Sequence, residues 1–295
     1  IALSGCEAPV YGTPPAASDA PQLTVVVPQG GMAPSSEAPP DRPAAAFGGL
    51  QERIAQATAE ASDAGADITV QVLDRNTGRR LSNGNGSAIV IASVVKLFIA
   101  DDLLLQESKG QTVITPDDRK MLDVMLRSSD DSAAEVFWNR SGGGEIVTRV
   151  AARYGLTSTQ PPNNGRWWNT ISTAADLVRY YNMLMNGSGG LPPEQANIIL
   201  SNLAKSTPNA IDGTQPGGTY PQRFGIPDGL YAEPVAIKQG WMCCIGPDWM
   251  HLSTGVIGPN RRFIMVIGAL QPADAATARK TITDAVKTMF PGGHI

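Results

Sequence analysis

Apolar and polar positions along the chain change rhythm several times, and each change marks an element. Leu50, Ile54, Ala57 and Ala61 recur at three- and four-residue spacing, which predicts a helix that begins near Gly49 and stops in the stretch DAGAD. The next run, ITVQVL over 68–73, alternates as a strand does. DRNTGRR then places Asn and Gly where a hairpin turns, so the chain returns through Arg80 and Leu81. After Gly86 the rhythm is helical, with helices predicted over 93–107, 116–127, 132–139, 144–154, 172–185 and 193–204. Several of these start at Pro or Ser and end near Gly110, Gly155 or Gly187. Strands return at 235–238, 250–257 and 262–270, followed by a last helix over 274–290. The fold class is therefore α/β, with strands and flanking helices at both ends of the folded chain and an all-helical lobe over about 87–204 between them. A cleft is expected where the two parts meet.

Residues 7–48 show no such rhythm. Runs such as YGTPPAASDAPQ and PSSEAPPDRP offer little apolar burial in return for the entropy of ordering, and they read as a disordered tether. LTVVVP at 23–28 is the one run there with strand character, and prolines on both sides disfavour it. Ahead of the tether, LSGC at 3–6 resembles the end of a bacterial lipoprotein signal, with Cys6 as the lipid acceptor; an ordinary free cysteine is the plain alternative. The expected organisation is a signal remnant over 1–6, the tether over 7–48 and a folded domain over 49–295. A lipid bilayer, reached through acylated Cys6, is the expected partner, and the outer side of the cell membrane the expected location. No later segment has the apolar length of a transmembrane helix.

Composition adds exclusions. The net charge is -4 and no basic stripe is interleaved with aromatics, so nucleic acid is not an expected partner. Cys243 and Cys244 are adjacent, and with His251 and His294 they make no metal set, since no CxxC spacing exists; neither a metal nor a cofactor is expected. The cysteine pair either closes a strained disulfide between neighbours or remains as buried thiols, and the sequence leaves both open.

The candidate chemistry begins at ASVVKLF, where Ser93 and Lys96 stand three apart on a helix and share a face. Burial among Val94, Val95, Leu97 and Phe98 would disfavour the ammonium and make Lys96 a usable base. The plain reading is that Ser93 caps the helix and Lys96 reaches past its neighbours to water. Two more pieces alter the balance: SSDDS over 128–132, at a helix entrance, and VAIKQG over 235–240, which sets Lys238 and Gly240 at the end of a strand. The order S-x-x-K, S-D-[NG], K-T-G resembles the serine β-lactamases and penicillin-binding D,D-peptidases, and residues of about 49–290 resemble class A β-lactamases in particular, as an actinobacterial-type lipoprotein. The resemblance implies a β-lactamase-like fold, an antiparallel sheet flanked by helices plus the helical lobe. It implies Ser93 as the acylated nucleophile, Lys96 as its base and Ser129 as the proton relay to the leaving nitrogen. Lys238 would hold a substrate carboxylate, and the backbone N–H groups of Ser93 and of Gln239 or Trp241 would form the oxyanion hole.

The departures from the pattern bear on activity. Asp131 stands where the family has Asn or Gly, and a carboxylate there repels an acidic substrate. Gln239 replaces the Thr or Ser that helps bind the substrate carboxylate, and bulky Trp241 follows Gly240. The loop YGLTSTQPPNNGRWWNT contains no Asp or Glu, whereas class A β-lactamases use a glutamate there to activate the deacylating water. The expectation is a membrane-anchored β-lactamase-like lipoprotein with lost or residual activity that binds peptidoglycan or another cell-envelope component. A serine D,D-peptidase or esterase using Ser93 and Lys96 is the alternative, with a true β-lactamase behind both.

Overall fold

Helix α1 (Leu50–Asp63) buries the four positions its period marks, Leu50, Ile54, Ala57 and Ala61, none more than 3% exposed. The structure, a computed structural model, describes residues 47–295; the expectations for Cys6, the tether and 23–28 fall outside the described residues. Strand β1 (Asp67–Asp74) turns into β2 (Arg80–Ser82), and β3 (Ile89–Val90) leads into a 3₁₀ turn over Ala92–Val95. The helices α2 (Lys96–Ser108), α3 (Pro116–Arg127), α4 (Asp131–Arg140) and α5 (Glu145–Tyr154) follow, then β4 (Ile171–Ser172), α6 (Ala174–Asn186) and α7 (Pro193–Leu203). A small hairpin of β5 (Asn209–Ile211) and β6 (Thr219–Pro221) precedes the single turn α8 (Ile226–Gly229). The chain closes with β7 (Val235–Ile245), β8 (Asp248–Ile257), β9 (Phe263–Gln271) and α9 (Ala275–Met289).

Local chemistry sets these boundaries. α3 starts at a reciprocal cap in which Thr115 and Asp118 satisfy each other's backbone N–H, with Pro116 as the first helical residue. Asp130, Thr173 and Asp274 cap α4, α6 and α9 with their side-chain oxygens.

Five strands form one antiparallel sheet in the order β2-β1-β9-β8-β7. Alternation along β9 sends Phe263, Met265 and Ile267 to the face covered by α1 and α9, and Ile264 and Val266 to the face covered by the helical lobe. Each fully buried Ile or Val contributes roughly 1.5–3 kcal/mol relative to exposure, so a register slip is strongly disfavoured. β7 is left at the sheet edge, packed beside the turn Ala92–Val95.

Two expectations change here. The segment carrying Ser93 opens as a 3₁₀ turn and becomes α-helical only at Lys96. Lys238 does not end its strand, because β7 runs on through Gly240 and Trp241 to Ile245. The short pairs β3–β4 and β5–β6 and the turn α8 add to the expected elements.

Candidate functional site

Ser93 lies in the 3₁₀ turn, 6% exposed, directly after Ala92 at φ 42°. A left-handed alanine costs roughly 1–3 kcal/mol and persists only where its surroundings hold it. Lys96 is fully buried. Its Nζ donates to Ser93 Oγ at 2.9 Å, to the Ser129 carbonyl at 2.6 Å and to Asp131 Oδ1 at 2.5 Å, with Ser129 Oγ at 3.3 Å. Lys96 therefore does not reach water, and Ser93 makes no cap. Ser129 is buried at φ 54° between α3 and α4. Asp130 accepts from Ala133 N at 2.7 Å as the cap, which leaves Asp131, the first residue of α4, free to turn toward Lys96. From β7, buried Lys238 donates to Ser129 Oγ at 2.7 Å and to the Gln239 carbonyl at 3.2 Å.

Burial moves both lysines in one direction. The Lys96 ammonium is pulled below the usual lysine range by desolvation, and the charge and hydrogen bond of Asp131 act against that pull. Lys238 is pulled well below it, by desolvation first and then by the positive charge of Lys96. Lys96 has a carboxylate within ion-pair distance; among the described residues Lys238 has none.

Above Ser93 is a cavity of about 400 Å³ walled by Trp167, Trp168 and Trp241 and by Asp131, Glu135 and Asp212. The Trp167 ring centroid lies 4.6 Å from Lys96 Nζ, and its Nε1 donates to Glu135 Oε2 at 3.0 Å. Opposite, Trp241 Nε1 donates to Asp212 Oδ2 at 2.9 Å while its ring stacks on Tyr220 at 4.7 Å. Trp241 thus forms a wall and lies flat against Tyr220. The loop before β4 is tied to the nucleophile turn by Ile91 N donating to the Thr170 carbonyl. Asn163 and Asn164 on that loop are exposed and do not line the cavity.

Gln239 requires a correction. Its side chain is buried away from the cavity, held there by its amide donating to the carbonyls of Gln222 and Phe224 at 3.1 and 2.7 Å. A second correction concerns Cys243 and Cys244, which are neither disulfide-bonded nor buried. The pairing of β7 with β8 shifts between Met242 and Ile245, Cys244 takes φ 68°, and both thiols emerge exposed and unlinked. Contact with Cys244 pushes the Cys243 thiol up.

Four of the wall residues named above were not singled out from the sequence. Glu135 carried a signal, standing four residues after Asp131 and so on the same face of α4. The Trp167–Trp168 pair stood in the acid-free loop. Asp212 carried none, since the hairpin of β5 and β6 delivers it from a stretch without periodicity. A larger and more open depression of about 600 Å³ lies elsewhere, lined by Asp102, Arg140, Arg149 and Arg153 among others. Each of those arginines is already paired with an aspartate, and the lining offers no activated nucleophile. Among the described residues no group of His, Cys, Asp and Glu could hold a metal ion, and no helix is long and apolar enough to cross a membrane.

No protein-family model matches the chain. It is 58% identical over 303 residues to proteins named "Putative lipoprotein LppW" in Mycobacterium bovis and Mycobacterium tuberculosis, covering 100% of this chain and 95% of theirs. Its fold matches the extended-spectrum β-lactamase TLA-1 with a TM-score of 0.66 at 14% identity, over 82% of this chain and 98% of that one. A β-lactamase from Chitinophaga pinensis gives 0.64 at 13% identity over 81% and 98%, and an ancestral class A β-lactamase 0.62 at 18% over 81% and 98%. At these identities the likeness to solved structures is one of fold alone.

Proposed function

This chain belongs to the LppW lipoprotein family and has a β-lactamase-like fold, and from that premise we propose that it is a lipid-anchored envelope protein whose serine site binds its ligand with little or no turnover. Cys6 is the proposed acyl acceptor and 7–48 the tether, so that Cys6→Ala moves the precursor from the membrane fraction to the soluble one. Ser93, Lys96, Ser129 and Lys238 are the proposed reactive group, and peptidoglycan or another envelope component is the proposed ligand class.

The observation that carries the reading is the set of hydrogen bonds made by Lys96. Three contacts of 2.9 Å or less, to Ser93, Ser129 and Asp131, engage all three ammonium protons. A base must accept the Ser93 proton, and the Asp131 carboxylate favours the form that cannot. Deacylation is worse supplied, since the loop before β4 has no carboxylate and the Trp167 ring occupies the space beside Lys96. The test is steady-state hydrolysis of a chromogenic cephalosporin, with intact-mass analysis after incubation with a reactive penicillin. The expected result is no sustained turnover, with either no adduct or a long-lived one on Ser93. Multiple turnovers that disappear in Ser93→Ala would overturn the reading.

One observation favours a second reading, a serine D,D-peptidase or esterase. The contacts Lys96–Ser93 and Lys238–Ser129, at 2.9 and 2.7 Å, joined by Lys96–Ser129 Oγ at 3.3 Å, line up a path for a proton. Catalytic hydrolysis of a neutral aryl ester, lost in Ser93→Ala, would establish it.

A further inference from the structure

The walls of the cavity carry charge of the same sign as the substrate carboxylate that Lys238 was expected to hold. Of its three carboxylates, only Asp131 is balanced by a cation, Lys96. Glu135 is held by neutral donors alone, Trp167 Nε1 on one oxygen and Asn139 Nδ2 on the other. Asp212 is likewise held by Trp241 Nε1 on Oδ2 and by the N–H and hydroxyl of Thr214 on Oδ1. Among the described residues neither acid forms an ion pair, so two fixed negative charges flank the space over Ser93. A carboxylate oxygen that accepts from an N–H keeps further acceptor capacity.

Among the described residues that line the cavity none is a cation. Lys238, the residue expected to receive a carboxylate, does not line the cavity, and both its near contacts are internal. Arg166 lies against the Trp168 ring at 5.5 Å but is not among the lining residues. What remains is a lining that includes three indoles, with an acid anchored to two of them. Indole faces attract cations and low-dielectric walls strengthen that attraction, while an anion meets repulsion from the rim.

We propose that the cavity over Ser93 selects a ligand bearing an organic cation, an ammonium or guanidinium group, and rejects carboxylates. The site itself rests on the reading above, the Ser93–Lys96–Ser129–Lys238 group beneath a cavity; the carboxylates decide only what enters it.

Isothermal titration of the Ser93→Ala protein tests the selectivity without acylation, so its outcome is separate from the question of turnover. The probes are matched in size: benzyltrimethylammonium, benzyl alcohol and benzoate. The ammonium is expected to bind at least tenfold more tightly than benzyl alcohol, with benzoate weakest. Asp212→Asn and Glu135→Gln, each added to Ser93→Ala, are expected to weaken the ammonium several-fold and leave benzyl alcohol unchanged. A melting curve shows that each variant is folded; Glu135 is exposed on α4, so its replacement serves if the Asp212 variant does not fold. Benzoate binding as well as the ammonium, indifference of the ammonium to both substitutions, or no binding by any probe at millimolar concentration would each overturn the proposal.

Discussion

Lys96 stands between two opposed demands: burial drives it toward the neutral amine, and Asp131 at 2.5 Å holds it as an ammonium. Replacing Asp131 with asparagine keeps the hydrogen bond and removes the charge, which lowers the Lys96 pKa further and raises the fraction able to accept a proton. Asp131→Asn is therefore expected to acylate Ser93 with a neutral aryl ester at least tenfold faster than the parent at pH 7, with the rising limb of its pH–rate curve moved to lower pH. A neutral probe removes repulsion of the substrate from the comparison, and an unchanged or slower rate would show that Asp131 does not govern the base. Ser93 and Lys96 were legible as neighbours from their three-residue spacing, whereas Ser129 and Lys238 stand far along the chain and were pointed to by the family resemblance alone. Gln239 departs from its expected place because the carbonyls of Gln222 and Phe224 take up its amide, and the cavity-lining role of Asp212 comes from an approach no local pattern encodes.

At the scale of elements, β7 decides how closely the sheet approaches the nucleophile turn. A Cβ on Gly240 would lie 2.5 Å from the Ile91 carbonyl and 3.3 Å from a Val94 methyl, and a backbone carbonyl cannot swing aside as a side chain does. Gly240→Ala is expected to lower stability by about 1–3 kcal/mol, as overpacking does, and to abolish any labelling of Ser93, because β7 must move away from it. Urea unfolding and mass labelling measure the two effects; a parental midpoint with parental labelling would mean that the approach has slack. The long helices and the strands β1, β8 and β9 were legible within a few residues, since their periods repeat often enough to read. Strands of two or three residues have no period, and the 3₁₀ opening of the Ser93 segment follows from packing against β7.

For the whole molecule, acid is the vulnerable direction. His251, on β8 beside Trp241 of β7, is fully buried, its Nε2 bonded to the Tyr220 hydroxyl and its Nδ1 without a partner, and desolvation pulls its pKa down to about 3. The unfolded chain takes up a proton near pH 6.5 while the folded one does not, so this contribution is complete above that pH and is lost as pH falls toward 3. The slope is on the order of 1.4 kcal/mol per unit from this residue. Asp118, held down to about 2 by its hydrogen bond to Arg140, adds a loss of the same sign below about pH 4. Urea midpoints at pH 7, 6 and 5 are expected to fall steadily, and His251→Gln to flatten the curve; a flat parental curve would show the imidazole to be hydrated in the fold. The aromatic walls have a separate consequence. Three of the five tryptophans line the cavity over Ser93, one of them against an ammonium, so a ligand that arrives there is expected to change the ultraviolet emission of the protein. Occupancy is written into the colour and brightness of that light, and the molecule can be titrated without attaching a dye.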